Sequence, residues 1–559
     1  MNTAKCKMLN TQLHKNFLPR IGIDAHLSLV YRYAPKSMQC PGSLHVEDKQ
    51  FIEKIKLFLM HAGTESQIGI SIKMIMESLH LLIGTNHHLF SLPYPKYSFL
   101  GTTSWVQHLW EMAYKYKVIV KGPYIHTKPA RYNDYALMDK LIEMGTFSTI
   151  DIQKINCCRI YLQVQNLSDI SNGEGTHIST NILSHIKDPE RVSKYTWPHQ
   201  PRPPKSMWNI WDEAIQTVWS QSETNQLIPP LGVWISAPHQ VTPWIYNQNN
   251  NTLYHKTSSV SYTIYVPTIS SITRHRTRFS PDNSTCRIPK HRSYSAIVNR
   301  GNPKSVFIES IIKYSNNKNT STVSDQHTKR FLNQVKCPHN SHLLANQILD
   351  GTAVAVTGAS VCKHSHIGPS SYIICTNDLQ SVVLGDHGVP PGSSPMDSYR
   401  AEIYGIYAIL FTLTELCIRH NIKSGSIIIA CDNKAGLQNS LVYDTKANTN
   451  QSSFDILWAI HALKCKLPIQ IRPQHVKGHR DRVTSDLTFL EQLNCLVDFR
   501  AKRYRHFIEQ SILYEYSDIH LLSQWSCKIE NVVITGNIEN KIKEWIYKQE
   551  MKKYLIDHK

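Results

Sequence analysis

The run SIIIACD, residues 426–432, constrains the fold more than any other stretch of this chain. Three isoleucines, an alanine and a cysteine in unbroken succession leave no polar face, so a strand made of them must be covered on both sides, as in a parallel sheet clothed by helices. The flanking text supplies that cover. SYRAEIYGIYAILFTLTELC, residues 398–417, predicts about five helical turns, with Ser398 as N-cap. Upstream, ILDGTAVAVTGASV (348–361), SYIICT (371–376) and SVVLG (381–385) alternate at hairpin spacing. Downstream come a helical stretch, a short strand in LPIQIRP (467–473), and an amphipathic helix in DLTFLEQLNCLVDFRAKRY (486–504). Three antiparallel strands followed by alternating helices and strands make one mixed α/β sheet with flanking helices over residues 345–510.

With 559 residues the chain is too long for a single core, and further units are expected before that sheet. Residues 1–125 read as mainly helical, with Phe51, Ile52, Ile55, Leu57, Phe58 and Leu59 on one broad apolar face. Residues 126–268 mix helices with strand-like runs; Trp234 and Trp244 there suit either stacking on bases or ordinary burial. Residues 269–344 are Asn/Ser-rich and basic, the composition of a linker with a few short ordered pieces. Residues 511–559 read as a helical extension.

Lys and Arg number 61 against 42 Asp and Glu, a formal charge of +19, which favours a polyanionic partner, nucleic acid ahead of a membrane surface. No basic stretch followed by an apolar run and a cleavage site stands near Met1, and the apolar run Ile403 to Leu416 is short for a membrane span. An intracellular protein, nuclear or cytoplasmic, is expected. The 13 cysteines, odd in number and irregular in spacing, then read as thiols. Cys337, His339 and His342, with Cys362, His364 and His366, lack the paired spacing of a zinc motif.

Four acids stand out on the predicted framework. Asp350 is expected to begin the first strand, Glu402 to lie near the start of the long helix, Asp432 to follow the buried strand directly, and Asp498 to lie on the last helix. Open α/β sheets place ligands at the carboxyl ends of their strands, which makes Asp432 the anchor. On the last helix, Leu490, Leu493, Leu496 and Val497 are expected to face the core, with Glu491, Asn494 and Asp498 on the opposite arc. Each acid alone has an ordinary explanation as a turn or helix-start residue. Their order, with KGH at 477–479 between the third and fourth, carries more weight.

These residues resemble those of type 1 ribonucleases H, in the version found at the end of retrotransposon reverse-transcriptase polyproteins. The resemblance runs through Asp350 in LDGTA, Glu402 in YRAEIYG, Asp432 in IIACDNKAG, His479 in HVKGHRD and Asp498 in LNCLVDFRAK, and covers residues 345–505. It implies a five-stranded mixed sheet flanked by helices. It also implies a metal site made of Asp350, Glu402, Asp432 and Asp498, with His479 assisting turnover from a mobile loop. The segment after His479 is longer than in compact members, which leaves Asp481 and Asp486 as alternatives to Asp498.

Four close carboxylates repel one another unless cations neutralise them, and hard oxygen donors suit two Mg²⁺ ions, with Mn²⁺ as substitute. Such a pair fits in-line hydrolysis of the RNA strand of an RNA–DNA hybrid, leaving a 3′-hydroxyl and a 5′-phosphate. Asn433 and Lys434 are candidate substrate contacts. No pair of adjacent aspartates in a Tyr- or Phe-led turn marks a polymerase, although residues 126–268 resemble the segment that follows one in retroelement proteins. Two other outcomes are compatible with this fold class: a nucleic-acid-binding remnant that does not cut, and a transposase- or integrase-type strand transferase.

Overall fold

The computed structural model describes residues 3–22, 24, 45–122, 131–172, 175–187, 196–221, 223–232, 244–247, 252–256, 262–267, 278–286, 293–298, 306–313, 328, 330–362, 364–443, 448–482, 485–511, 514, 516 and 525–557. The chain forms two compact units. One comprises Met1–Ser66, Lys115–Pro123 and Ser321–Lys559; the other comprises Gln67–Tyr114 and Tyr124–Thr320.

The first unit holds the mixed sheet. Its strands are β1 (Val335–Lys336), β2 (Val354–Ala359), β3 (Pro369–Cys375), β4 (Val382–Gly388), β5 (Ser426–Cys431) and β6 (Gln470–His475). They lie in the order β6-β5-β2-β3-β4-β1. Strand β5 runs parallel to both neighbours, with Ile429 opposite Ala355 on one side and Pro473 on the other. The contacts β2–β3, β3–β4 and β4–β1 are antiparallel. Six strands stand where five are expected, because the two-residue β1 adds an edge beside β4.

Four helices flank this sheet: α1 (Ser341–Asp350), α2 (Ser398–Arg419), α3 (Phe454–Lys464) and α4 (Phe489–Gln510). Alternation along the strands divides the core in two. Ala355, Tyr372, Ile374, Ile427, Ile429 and Cys431 pack with the apolar residues of α1, α2 and α3. Val354, Val356, Ile373, Cys375 and Ala430 pack against Leu493 and Val497 of α4. Helix α2 is long and apolar enough to cross a membrane, yet its apolar window is 83% buried inside the protein, as a core helix is. It starts one residue earlier than Ser398 as N-cap implies: Asp397 is the cap, its carboxylate accepting from the Arg400 N–H at 2.7 Å.

Two expectations change here. Residues 341–350 form a helix in place of the start of a strand, since Leu344, Ala345 and Ile348 are buried at helical spacing. Gly351 ends it in the left-handed region at φ 73°, a position glycine fills without steric cost. On α4, Asn494 is buried and Leu496 is 43% exposed, the reverse of the expected faces. Leu493 and Val497 are buried as expected; of the polar arc, Asn494 and Asp498 turn toward the sheet, while Glu491 caps the helix start with Thr488 and pairs with Arg480.

The rest of this unit is assembled from distant segments. Ile119–Lys121 pairs antiparallel with Ser526–Ile529, so residues 511–559 contribute strands as well as the helix Ile538–Asp557. Lys49 and Lys56 of the helix Val46–His61 hold Glu539 from either side.

The second unit contains helices such as Gln67–Ile83, Thr149–Leu162 and Lys205–Ala214. Arg159 is wholly buried there, and its guanidinium donates to Asn156 Oδ1, Gln165 Oε1 and the Val164 carbonyl. The unit also contains a closed barrel of six strands: Trp244–Asn247, Thr252–Lys256, Tyr262–Pro267, Arg278–Cys286, Ser293–Val298 and Val306–Lys313. Three of these strands fall within 269–344, where a linker is expected from composition. SYSAIV and VFIESIIK carry enough β-branched and apolar residues to form strands inside a polar surrounding. Trp234 lies outside the described residues.

Candidate functional site

Strands β5 and β2 are parallel, β2 running on past the level where β5 ends, and acids from three elements gather at that carboxyl end. Asp432 follows β5 immediately. Glu402 comes from the amino-terminal half of α2, which a buried ion pair anchors: Arg400 Nη1 and Nη2 donate to the Asp455 carboxylate at 2.9 and 2.8 Å. Asp498 comes from α4. Glu402 is 6% exposed; it accepts a hydrogen bond from the Cys431 thiol at 3.5 Å and another from the Ala359 backbone.

The loop after β6 closes against this cluster. Gly478 passes so near Asp432 that a Cβ would run into its carboxylate, which accounts for the glycine of KGH. His475 Nε2 donates to the Asp432 carbonyl at 2.9 Å, tying the loop's start to β5. His479 takes a left-handed backbone at φ 54° and stands with Nδ1 3.9 Å from Asp498 Oδ2, its side chain 62% exposed.

Burial dominates the electrostatics. It lifts the Glu402 carboxyl well above its ordinary range, and the charges of Asp432 and Asp498 lift it further. Burial also raises Asp432, with His479 and His475 acting against it. Asp498 is pushed up to about 7, first by burial, then by Asp432 and Asp481, with Arg482 opposing. Burial raises all three acids, and the Asp432 charge raises both Glu402 and Asp498, a repulsion that a bound cation would relieve.

Asp350 is not among them. It ends α1, exposed, and Gly351 beside it lies against Ser426, the first residue of β5. Five residues of strand separate Ser426 from Cys431, about 17 Å, so Asp350 sits at the opposite end of the sheet. The expectation that Asp350 belongs to the acid cluster is therefore corrected. The β2 residue facing Asp498 is Gly358, which alternation places on the same side as Val354 and Val356. A Cβ at Gly358 would fall against Asp498 Oδ1 and 2.9 Å from Val497 Cγ2.

The other candidates divide. Asn433 Oδ1 accepts from the Gly436 N–H at 2.8 Å and so caps the short helix Lys434–Leu437, while Lys434 is exposed beside it. Asp481, in the turn after His479, hydrogen-bonds Cys495 and stands near enough to Asp498 to raise it; Asp498 itself occupies the cluster. Asn494 is 1% exposed, reaches Asp498 with Nδ2 at 3.5 Å, and leaves Oδ1 without a partner. Cys431 escaped the sequence reading; its only signal there is adjacency to Asp432. Among the described residues, Glu402, Cys431 and Asp432 form a group whose donor atoms all lie within 4.8 Å of one another.

The donor set bears on the expected cations. Glu402 and Asp432 present carboxylate oxygens that would hold a divalent ion, with Asp498 close enough for its charge to raise Glu402. The described residues do not assemble the four carboxylates expected to hold a pair of Mg²⁺ ions: Asp350 lies elsewhere, Gly358 faces Asp498, and a thiol lines the inner wall.

A scan against protein-family models and a search of curated proteins each found no match. Among solved structures, the N-terminal RNase H domain of a Mycobacterium tuberculosis protein matches at 13% identity and a TM-score of 0.18, covering 27% of this chain and 96% of that one. RNase H1 of the archaeon Halobacterium salinarum matches at 11% identity and a TM-score of 0.18, covering 27% and 98%. The protease-reverse transcriptase of prototype foamy virus matches at 18% identity and a TM-score of 0.20, covering 27% of this chain and 20% of that one.

Proposed function

We propose that the sheet domain from Val335 to Gln510 is a nucleic-acid-binding module of ribonuclease H type. It engages RNA–DNA hybrids beside a site for one divalent cation and lacks efficient two-ion hydrolysis. The observation that carries this reading is the make-up of the acid cluster: Glu402, Asp432 and Asp498 converge, Gly358 faces them, and Asp350 lies at the far end of β5. Exposed Lys434, Lys477 and Arg482 border the cluster and suit phosphate contacts, in keeping with the chain's +19 charge. Preference for a hybrid over a DNA duplex would come from 2′-hydroxyl contacts across the minor groove. A cation held by Glu402, Asp432 and Asp498 would neutralise their mutual repulsion and offer a docking charge for a phosphate oxygen.

The test pairs fluorescence anisotropy on labelled hybrid, DNA duplex and RNA duplex with a cleavage assay in Mg²⁺. Hybrid is expected to bind tightest and to stay intact. Gly358→Asp is expected to raise Mg²⁺-dependent cleavage above background, with a stability loss of about 1–3 kcal/mol from crowding Asp498 and Val497. Equal binding of all three duplexes would remove the hybrid reading.

A second reading, hydrolysis of the RNA strand by the three carboxylates present, is favoured by His479 standing beside Asp498. Cleavage by the unaltered chain that Asp432→Asn abolishes would establish it in place of the first.

A further inference from the structure

The inner wall of the acid cluster is sulfur. Cys431 is fully buried on the α2 side of β5, yet its thiol turns to the Glu402 carboxylate and its sulfur accepts the Asn433 backbone N–H at 3.3 Å. That backbone donor works against burial and the neighbouring Glu402 and Asp432 charges, which hold the thiol protonated well above its ordinary range in the metal-free chain. The separation of Sγ from Glu402 Oε2 is 3.5 Å. A tetrahedral cation with sulfur at about 2.3 Å and oxygen at about 2.1 Å holds those two ligands about 3.6 Å apart. The two donors therefore need little rearrangement to share one ion, and Asp432 is within reach as a third.

We propose that Cys431, Glu402 and Asp432 form a mixed sulfur–oxygen site that takes a thiophilic divalent cation of the zinc or cobalt(II) class in preference to magnesium. Binding exchanges a proton for the ion: the Cys431 S–H bond breaks, the proton leaves to solvent, and the sulfur lone pair bonds the cation with no change of oxidation state. The inner position of a thiol discriminates against Mg²⁺, which demands oxygen donors in octahedral array, and favours ions that accept thiolate. This deepens the reading of the cluster as a cation site and rests on that reading, but not on hybrid binding.

The test uses the full chain, stripped of metal and titrated with Co²⁺. The expected result is one equivalent of a near-ultraviolet sulfur-to-cobalt charge-transfer band, bleached by equimolar Zn²⁺ and untouched by a hundredfold excess of Mg²⁺. Cys431→Ser should abolish the band. Glu402→Gln, which keeps every cysteine, should weaken cobalt affinity at least tenfold and covers the case in which the serine variant does not fold. No band in the unaltered chain, a band that persists in Cys431→Ser, or an unchanged affinity in Glu402→Gln would each overturn the proposal. Hybrid binding, followed by anisotropy on the same samples, reports separately on the proposed function. A chain that binds hybrid but shows no band loses only the sulfur ligand.

Discussion

The two ends of β5 carry similar text and opposite chemistry. At its amino end lie Asp350 and Gly351, with Ser426 beside the glycine and an Arg472 guanidinium donating to the Gly351 carbonyl. At its carboxyl end lie Cys431 and Asp432, with Gly358 and Gly478 as the nearby glycines. Acid and glycine stand together at both ends, yet only the carboxyl end gathers further acids and withdraws them from water. Strand direction makes the difference. In a parallel pair the crossovers open a crevice beyond the carboxyl ends, and α2 and α4 deliver Glu402 and Asp498 into it.

The comparison breaks most severely at the anchor that holds α2. Arg400→Ala leaves the Asp455 carboxylate buried and unpaired, and should cost about 3–5 kcal/mol in urea unfolding. Because Glu402 lies two residues on, the same change should weaken cation binding at the carboxyl end.

Acid–base behaviour sharpens the contrast. Asp498 has a folded-state value near 7 against an ordinary 3.8, so between those values the folded chain binds a proton that the unfolded chain releases. Stability therefore falls as pH rises through that window, by on the order of 2–4 kcal/mol without divalent ions. Asp498→Asn should flatten the dependence and make the metal-free protein more stable at pH 8, as measured by chemical unfolding in EDTA. An unchanged slope would mean that the acids at this end are not desolvated.

The smallest effect belongs to the amino end. Asp350→Asn should alter stability by less than about 0.5 kcal/mol, as surface substitutions do, and leave cobalt and hybrid binding unchanged. A loss of cation affinity in that variant would return Asp350 to the site.

Reading the sequence located the sheet, the long helix and three of the acids because each rests on local pattern. IIIAC has no polar face, YRAEIYGIYAIL repeats at helical spacing, and Asp432 follows its strand directly. It misplaced Asp350, because DG beside an alternating run looks the same whether the glycine opens a strand or ends a helix. It assigned 269–344 to a linker, because average composition hides short strands such as SYSAIV that close a barrel with partners dozens of residues away. It turned α4 by the usual rule that polar residues face water, which fails where Asn494 and Asp498 meet buried acids.

By itself, then, the amino-acid sequence determined the strands and long helices of the sheet domain from Val354 onward and their order, since those follow from propensity and periodicity within a few turns of chain. Which acids meet, that a glycine faces them and a thiol lines the wall behind them, and how far their protons are held, only the tertiary structure decided. Desolvation and charge coupling depend on distances between residues far apart in the chain, and no local pattern encodes those distances.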